Sequence, residues 1–236
     1  MFATLVISLL VTQTATINPV EPVLTPEQRL DTPWWKDRHD KCVALTQAGG
    51  HELIFVGDSI THGWETRGKA TWDKYYAPRK AANFGFSGDR CEHVLWRMQN
   101  GEIIGLQPKV AVVMIGTNSI SASNANTETT TLGVKTVVES LREAMPKTKI
   151  LLLAIFPRGQ SATDQIRKNV TQTNEKIALF ADNKNVFFLD VGKYYLSRSG
   201  EMWNNLMPDL LHPSDDGYEI WAKAMEPKLA ELLGEK

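Results

Sequence analysis

Five short apolar runs, each followed by a turn and a longer stretch, set the pattern of this chain: Glu52–Val56, Lys80–Phe84, Val110–Ile115, Ile150–Ile155 and Val186–Leu189. Runs that stay apolar without alternating belong to strands buried on both faces, as in a parallel sheet covered by crossover helices. The stretches between them carry apolar residues at three- and four-residue steps: Val94, Leu95 and Met98; Ile166, Val170, Ile177 and Phe180; Tyr218, Trp221, Ala222, Met225, Leu229 and Leu232. That is the spacing of one helical face. An earlier helix, from about Pro33 to Ala48, is expected on Trp35, His39, Cys42, Val43 and Leu45, with Gly49 and Gly50 ending it. Pro227 should kink the last helix. Crossovers of the usual right hand then give an α/β fold: a three-layer α/β/α sandwich with a flavodoxin-like, doubly wound, five-stranded parallel sheet.

The N-terminus reads differently. Residues 1–11 (MFATLVISLLV) are apolar and the first basic residue is Arg29, while Ala15 and Thr16 offer a cleavage site, so residues 1–16 are expected to be a signal peptide and the protein secreted or periplasmic. Residues 17–33 hold Pro19, Pro22, Pro26 and Pro33 and are expected to form an extended connector rather than core. Residues 34–236 form the folded domain. A net charge of -1 supplies no field for collecting phosphates, so nucleic acid is not an expected partner. No stretch is long and apolar enough to span a bilayer. Cys42 and Cys91, the two cysteines, can make at most one disulfide and cannot form a zinc site alone.

In an open parallel sheet the ligand crevice lies beyond the carboxyl ends of the strands. Three of the loops there are unusual: Gly57-Asp58-Ser59-Ile60-Thr61, Gly85-Phe86-Ser87-Gly88-Asp89 and Gly116-Thr117-Asn118. A fourth segment, Asp209-Leu210-Leu211-His212-Pro213, stands just before the last helix. Alone, Ser59 would be read as a helix cap, Gly88 as a tight turn and Asn118 as a turn residue. Together, on one rim of one sheet, the four segments supply a hydroxyl nucleophile, amide donors for an oxyanion, and an imidazole with a carboxylate to orient it, the parts of an acyl-transfer site. Asp58 is expected to be a structural partner in its turn, since an anion beside an oxyanion hole opposes catalysis, and Asp89 a helix-N-terminal residue.

The blocks Gly57-Asp58-Ser59, Asn83 to Asp89 (NFGFSGD), Gly116-Thr117-Asn118 and Asp209-Leu210-Leu211-His212 match, in order, those of the GDSL or SGNH hydrolase superfamily, a resemblance running from about Pro33 to Leu233. Within it, Asn83 to Asn100, Pro108-Lys109-Val110 and the Gly116 block look most like the platelet-activating-factor acetylhydrolase catalytic-subunit group and its bacterial relatives. The resemblance implies that Ser59 is the nucleophile, His212 the base and Asp209 its orienting carboxylate. It also implies an oxyanion hole made of the Ser59 N–H, the Gly88 N–H and the Asn118 side chain. Ser87 departs from the glycine common at that place. Similar acetylhydrolase subunits pair up, which implies a possible homodimer.

Of the remaining candidates, His62 and Trp64, three and five residues after Ser59, are expected at the mouth of the site, and Trp203 in contact with substrate. Trp72, Trp96 and Trp221 read as core. There is no metal-ligand cluster, P-loop, dinucleotide fingerprint or G-x-S-x-G elbow in the sequence, so no cofactor is expected. The expected activity is a serine esterase releasing short, acetyl-type acyl groups from a carbohydrate or small ester. The alternatives are a lysophospholipase, thioesterase or platelet-activating-factor-like acetylhydrolase and, from another class, a catalytically silent protein that holds a glycan or a partner.

Overall fold

The computed structural model describes residues 24–122 and 126–235. Its sheet contains β1 (Leu53–Gly57), β2 (Ala81–Gly85), β3 (Val110–Met114), β4 (Lys149–Leu153) and β5 (Val186–Leu189), all parallel, in the order β2-β1-β3-β4-β5. This is the expected doubly wound sandwich, with strand ends displaced by about one residue from the apolar runs. Around the sheet lie α1 (Pro33–Ala48), α2 (Ser59–His62), α3 (Lys69–Tyr75), α4 (Cys91–Arg97), α5 (Thr117–Ser121), α6 (Thr127–Ala144), α7 (Gln165–Ile177) and α8 (Asp215–Leu233).

The period-two geometry of strands divides each one between two cores. Ile54 and Val56 of β1, Ala111 and Val113 of β3 and Ile150 and Leu152 of β4 face α1, α4, α6 and α7. Leu53 and Phe55, Val110 and Val112, and Leu151 and Leu153 face the opposite layer, where Trp64, Tyr76 and the Trp221–Met225–Leu229 stripe of α8 close over them. Every residue of β1 and β3 is buried, which is why these runs read as unbroken apolar segments rather than alternating ones. Pro227 lies inside α8 without ending it.

Helix α6 is not among those the periodicities single out. Its buried face, Val134, Val137, Val138 and Leu141, has helical spacing, but it is preceded by Thr127, Thr129, Thr130, Thr131 and Gly133, residues of low helix propensity. The side chain of Asn126 accepts from Thr129 N–H and the Thr129 hydroxyl accepts from Asn126 N–H, a reciprocal cap that starts the helix regardless.

The expected signal peptide and residues 17–23 of the connector lie outside the described residues. From residue 24 the connector is docked: Leu24 packs on the α4–α6 side of the core, and Glu27 N–H donates to Glu92 O at 3.1 Å. Cys42 and Cys91 are both buried and unpaired. No described helix is long and apolar enough to cross a membrane.

Candidate active site

The strand order changes direction at β1, since the chain passes from β1 to β2 on one side and returns to β3 on the other. A crevice opens at the carboxyl ends of such strands. The loops after β2, β1 and β3 therefore lie side by side and carry Gly88, Ser59 and Asn118.

Ser59 is the first residue of α2. Asp58 caps that helix, its Oδ1 accepting from Ile60 N–H at 3.0 Å. The helix is seated hard against the sheet: a Cβ on Gly85 would lie 2.3 Å from the backbone nitrogen of His62, so only glycine permits this approach. From the other side the buried hydroxyl of Tyr218 donates to Ile60 O at 2.7 Å. The half-buried Ser59 is thus fixed by strand, cap and α8.

The hydroxyl of Ser59 lies 2.8 Å from Nε2 of His212, and Nδ1 of His212 lies 2.7 Å from Oδ2 of Asp209. The segment that carries both residues is held by its own acid: Asp209 Oδ1 accepts from His212 N–H at 2.7 Å and Leu211 N–H at 3.1 Å, with Leu210 between them in the left-handed region at φ 60°. A branched side chain in that region stores strain, which the two Asp209 bonds and a bond from Leu210 N–H to Met207 O hold in place. Burial works against the Asp209 charge, but hydrogen bonds from the His212 backbone and ring and from Leu211 outweigh it and hold the carboxyl below the usual range.

Three polar hydrogens on the loops after β1, β2 and β3 are uncommitted. Among the described residues the backbone N–H groups of Ser59 and Gly88 donate to no protein acceptor, and the Asn118 amide donates once, to Asp89 O at 2.9 Å. Asp58 is fully buried, and burial, reinforced by the Asp89 charge, raises its pKa to about 7. This carboxyl is then partly neutral at physiological pH, so a full anion is not imposed beneath the crevice.

The cleft over Ser59 has a volume of about 240 Å³; its lining is mainly apolar surface, with polar groups from His62, Thr66, Arg67, Ser87 and His212. His62 is among the residues lining this cleft; its Nδ1 lies 3.0 Å from Ser87 Oγ and its ring stacks on Trp34. Burial first, then the charge of Arg38, lowers the His62 pKa, favouring the neutral ring. Trp64 corrects the expectation: it is wholly buried beneath the site, 4.6 Å from the Tyr218 ring and 4.7 Å from that of Trp221. Trp64 lies in the 3-10 turn over Gly63–Glu65 that follows α2, and five residues at about 100° each carry it to the side of the helix away from Ser59. Trp203 is 49% exposed and does not line this cleft. Thr66 and Arg67 also line the cleft, and polar loop residues of this kind carry no periodic signal in the sequence.

Asp89 is more than a helix-terminal acid. It is fully buried and accepts from Trp35 Nε1 and Arg97 Nε, each at 2.8 Å, and from Arg29 at 3.1 Å. Arg97 also pairs with Glu102, which bonds the ring of His39 at 2.8 Å. This satisfied charge cluster anchors the loop that carries Gly88.

A hydroxyl bonded to an imidazole that is bonded to a carboxylate, beside free N–H groups, is an arrangement able to attack an ester carbonyl and receive the charge that develops on its oxygen. Comparison with known proteins gives the same direction. The chain is 33% identical over 205 residues to the human platelet-activating factor acetylhydrolase IB subunit alpha1, covering 85% of each chain. Its fold is similar to a GDSL-like lipase from Bacteroides thetaiotaomicron (TM-score 0.69, 18% identity, 82% of this chain and 97% of that one). It is also similar to Axe2, an acetylxylan esterase from Geobacillus stearothermophilus (TM-score 0.61, 20% identity, 80% of this chain and 96% of that one). The model of the GDSL-like Lipase/Acylhydrolase family matches residues 55–220. With a match of that extent, the chain belongs to the GDSL-like lipase/acylhydrolase family and is a carboxylic ester hydrolase.

Proposed function

We propose that this protein is a serine esterase that releases short, acetyl-type acyl groups from a polar alcohol, a carbohydrate or another small ester. The observation that carries the reading is the continuous line from Ser59 Oγ to His212 Nε2 at 2.8 Å and from His212 Nδ1 to Asp209 Oδ2 at 2.7 Å. In the proposed cycle neutral His212 takes the Ser59 proton as the oxygen attacks the acyl carbonyl, and then gives it to the leaving alcohol. Water, activated by the same imidazole, releases the acid. Asp209 holds the tautomer, and the N–H of Ser59, the N–H of Gly88 and the free hydrogen of the Asn118 amide receive the oxyanion. Beyond the ester and one water molecule, each step uses side chains and backbone of this chain.

The small volume of the cleft supports a short acyl group over a long-chain lipid, and Thr66, Arg67 and Ser87 on its lining offer hydrogen bonds to a hydroxyl-bearing leaving group. The acetyl substrates named for the human relative and for Axe2 support the same acyl length. An exported protein acting on extracellular glycan esters is consistent with the apolar N-terminal run. The test is hydrolysis of acetylated sugars, acetylated xylan fragments and aryl esters of graded acyl length. Acetyl esters should turn over fastest, Ser59→Ala should lose nearly all turnover while remaining folded, and an organophosphonate should label Ser59. A preference for decanoyl over acetyl esters would favour a lipid-type substrate, and full activity of Ser59→Ala would refute the site.

A further inference from the structure

We propose that Arg29, delivered by the N-terminal segment ahead of the first helix, is a positioning residue for the oxyanion donor at Gly88; this rests on the reading of Gly88 given above. Arg29 Nη1 donates to Ser87 O at 3.0 Å. That carbonyl belongs to the same peptide unit as the Gly88 N–H. The chain has no cis peptide bonds among the described residues, and in a planar trans peptide the C=O and N–H point in opposite directions. A guanidinium fixed on the oxygen therefore fixes the direction of the nitrogen's hydrogen.

It also strengthens that donor. A cation at the carbonyl end draws electron density through the amide and makes the N–H more positive, as charge-assisted and chained hydrogen bonds do. The peptide needs such a hold because Gly88 sits at φ 77°, in a loop whose glycine is free to rotate, and its N–H has no protein acceptor among the described residues.

Arg29 is itself held. Its Nη1 also meets Asp89 at 3.1 Å, its guanidinium lies over the Trp34 ring at 5.6 Å from the centroid, and its side chain is only 25% exposed. The segment before it is tied down by the Glu27 to Glu92 backbone bond and by the Glu27–Arg90 ion pair at 2.6 Å. On the far side, Ser87 Oγ is engaged by His62. Both ends of the Ser87 residue are thus clamped, and the Gly88 N–H is left as the free pole of the unit.

The test compares wild type with Arg29→Ala and Arg29→Lys on an acetyl ester, with melting temperature as a folding check. Arg29→Ala should lose about 10- to 100-fold in kcat with KM changed less than about twofold, because an oxyanion donor acts on the transition state rather than on bound substrate. Arg29→Lys should regain part of the loss, and millimolar guanidinium should accelerate Arg29→Ala but not wild type. Phosphonate labelling of Ser59, which also builds charge on oxygen, should slow in parallel with kcat. An unchanged kcat in Arg29→Ala, a loss confined to KM, or no rescue by guanidinium overturns the inference while leaving the site reading intact. Full activity of Ser59→Ala would instead remove the reading on which it rests.

Discussion

Asn118 spends one hydrogen of its side-chain amide on the carbonyl of Asp89, 2.9 Å away, and keeps the other unengaged within the described structure. That single bond ties the loop after β3 to the loop after β2 and orients the amide before any substrate arrives. Preorganised donors of this kind act chiefly on developing charge. Asn118→Ala should therefore lower kcat by about 10²- to 10³-fold with little change in KM, measured by steady-state hydrolysis of an acetyl ester. A change in KM alone would assign Asn118 to ground-state binding.

Asp209→Asn separates two duties of one carboxylate. An amide oxygen can still accept the backbone N–H groups of Leu211 and His212, so the segment should keep its shape, but the amide cannot supply the charge that stabilises the imidazolium. The expected loss in kcat is about 10²- to 10⁴-fold with a nearly unchanged melting temperature. Comparable turnover in the variant would show that the histidine works without its partner.

Asp58 makes stability depend on pH in the direction opposite to a salt-bridged acid. Its pKa is raised to about 7 in the folded protein from an unfolded value of 3.8, so the folded state holds a proton that the unfolded state has already released between those pH values. Stability from this group is present below about pH 4 and is lost as pH rises toward 7, an effect on the order of 4 kcal/mol at its fullest. Asp58→Asn keeps an acceptor for Ile60 N–H and titrates no proton. Calorimetry of both proteins from pH 5 to 8 should show the variant gaining stability relative to wild type as pH increases; parallel curves would refute the buried-acid assignment.

Tyr218→Phe removes the hydroxyl that reaches Ile60 O from α8 and leaves that buried carbonyl short of a partner. The expected cost is about 1 kcal/mol, or about 2–4 °C in melting temperature. Because the same bond steadies the helix that begins at Ser59, kcat should also fall by a few-fold, read in the same preparations.

How much of this was legible beforehand follows from which forces are local. The strands could be read from composition because burial on both faces leaves an unbroken apolar signature in runs such as Val110–Met114. The segments of Ser59, Gly88, Asn118 and Asp209–His212 could be read because each combines a rare turn sequence with a place beside a strand end or a helix start. Nearness in sequence to Ser59 misplaces Trp64, since five residues of helical turn carry its ring away from the cleft and into the core. Helix α6 was obscured by its threonines, although the packing of Val134, Val137 and Leu141 overrides their propensity. Arg29 carries no signal at all in sequence: its place depends on a contact with Ser87, 58 positions away, that exists only once the whole sheet has formed.

The two sulfhydryls have a practical consequence. Cys42 and Cys91 are buried and pushed up to about 12, chiefly by exclusion of water, so in the native molecule neither forms the nucleophilic thiolate. They become reactive toward an alkylating probe only when their surroundings come apart. One sits on α1 and the other at the start of α4, so the modification rate of each is a built-in clock for how often its own part of the molecule opens, with no engineered reporter required.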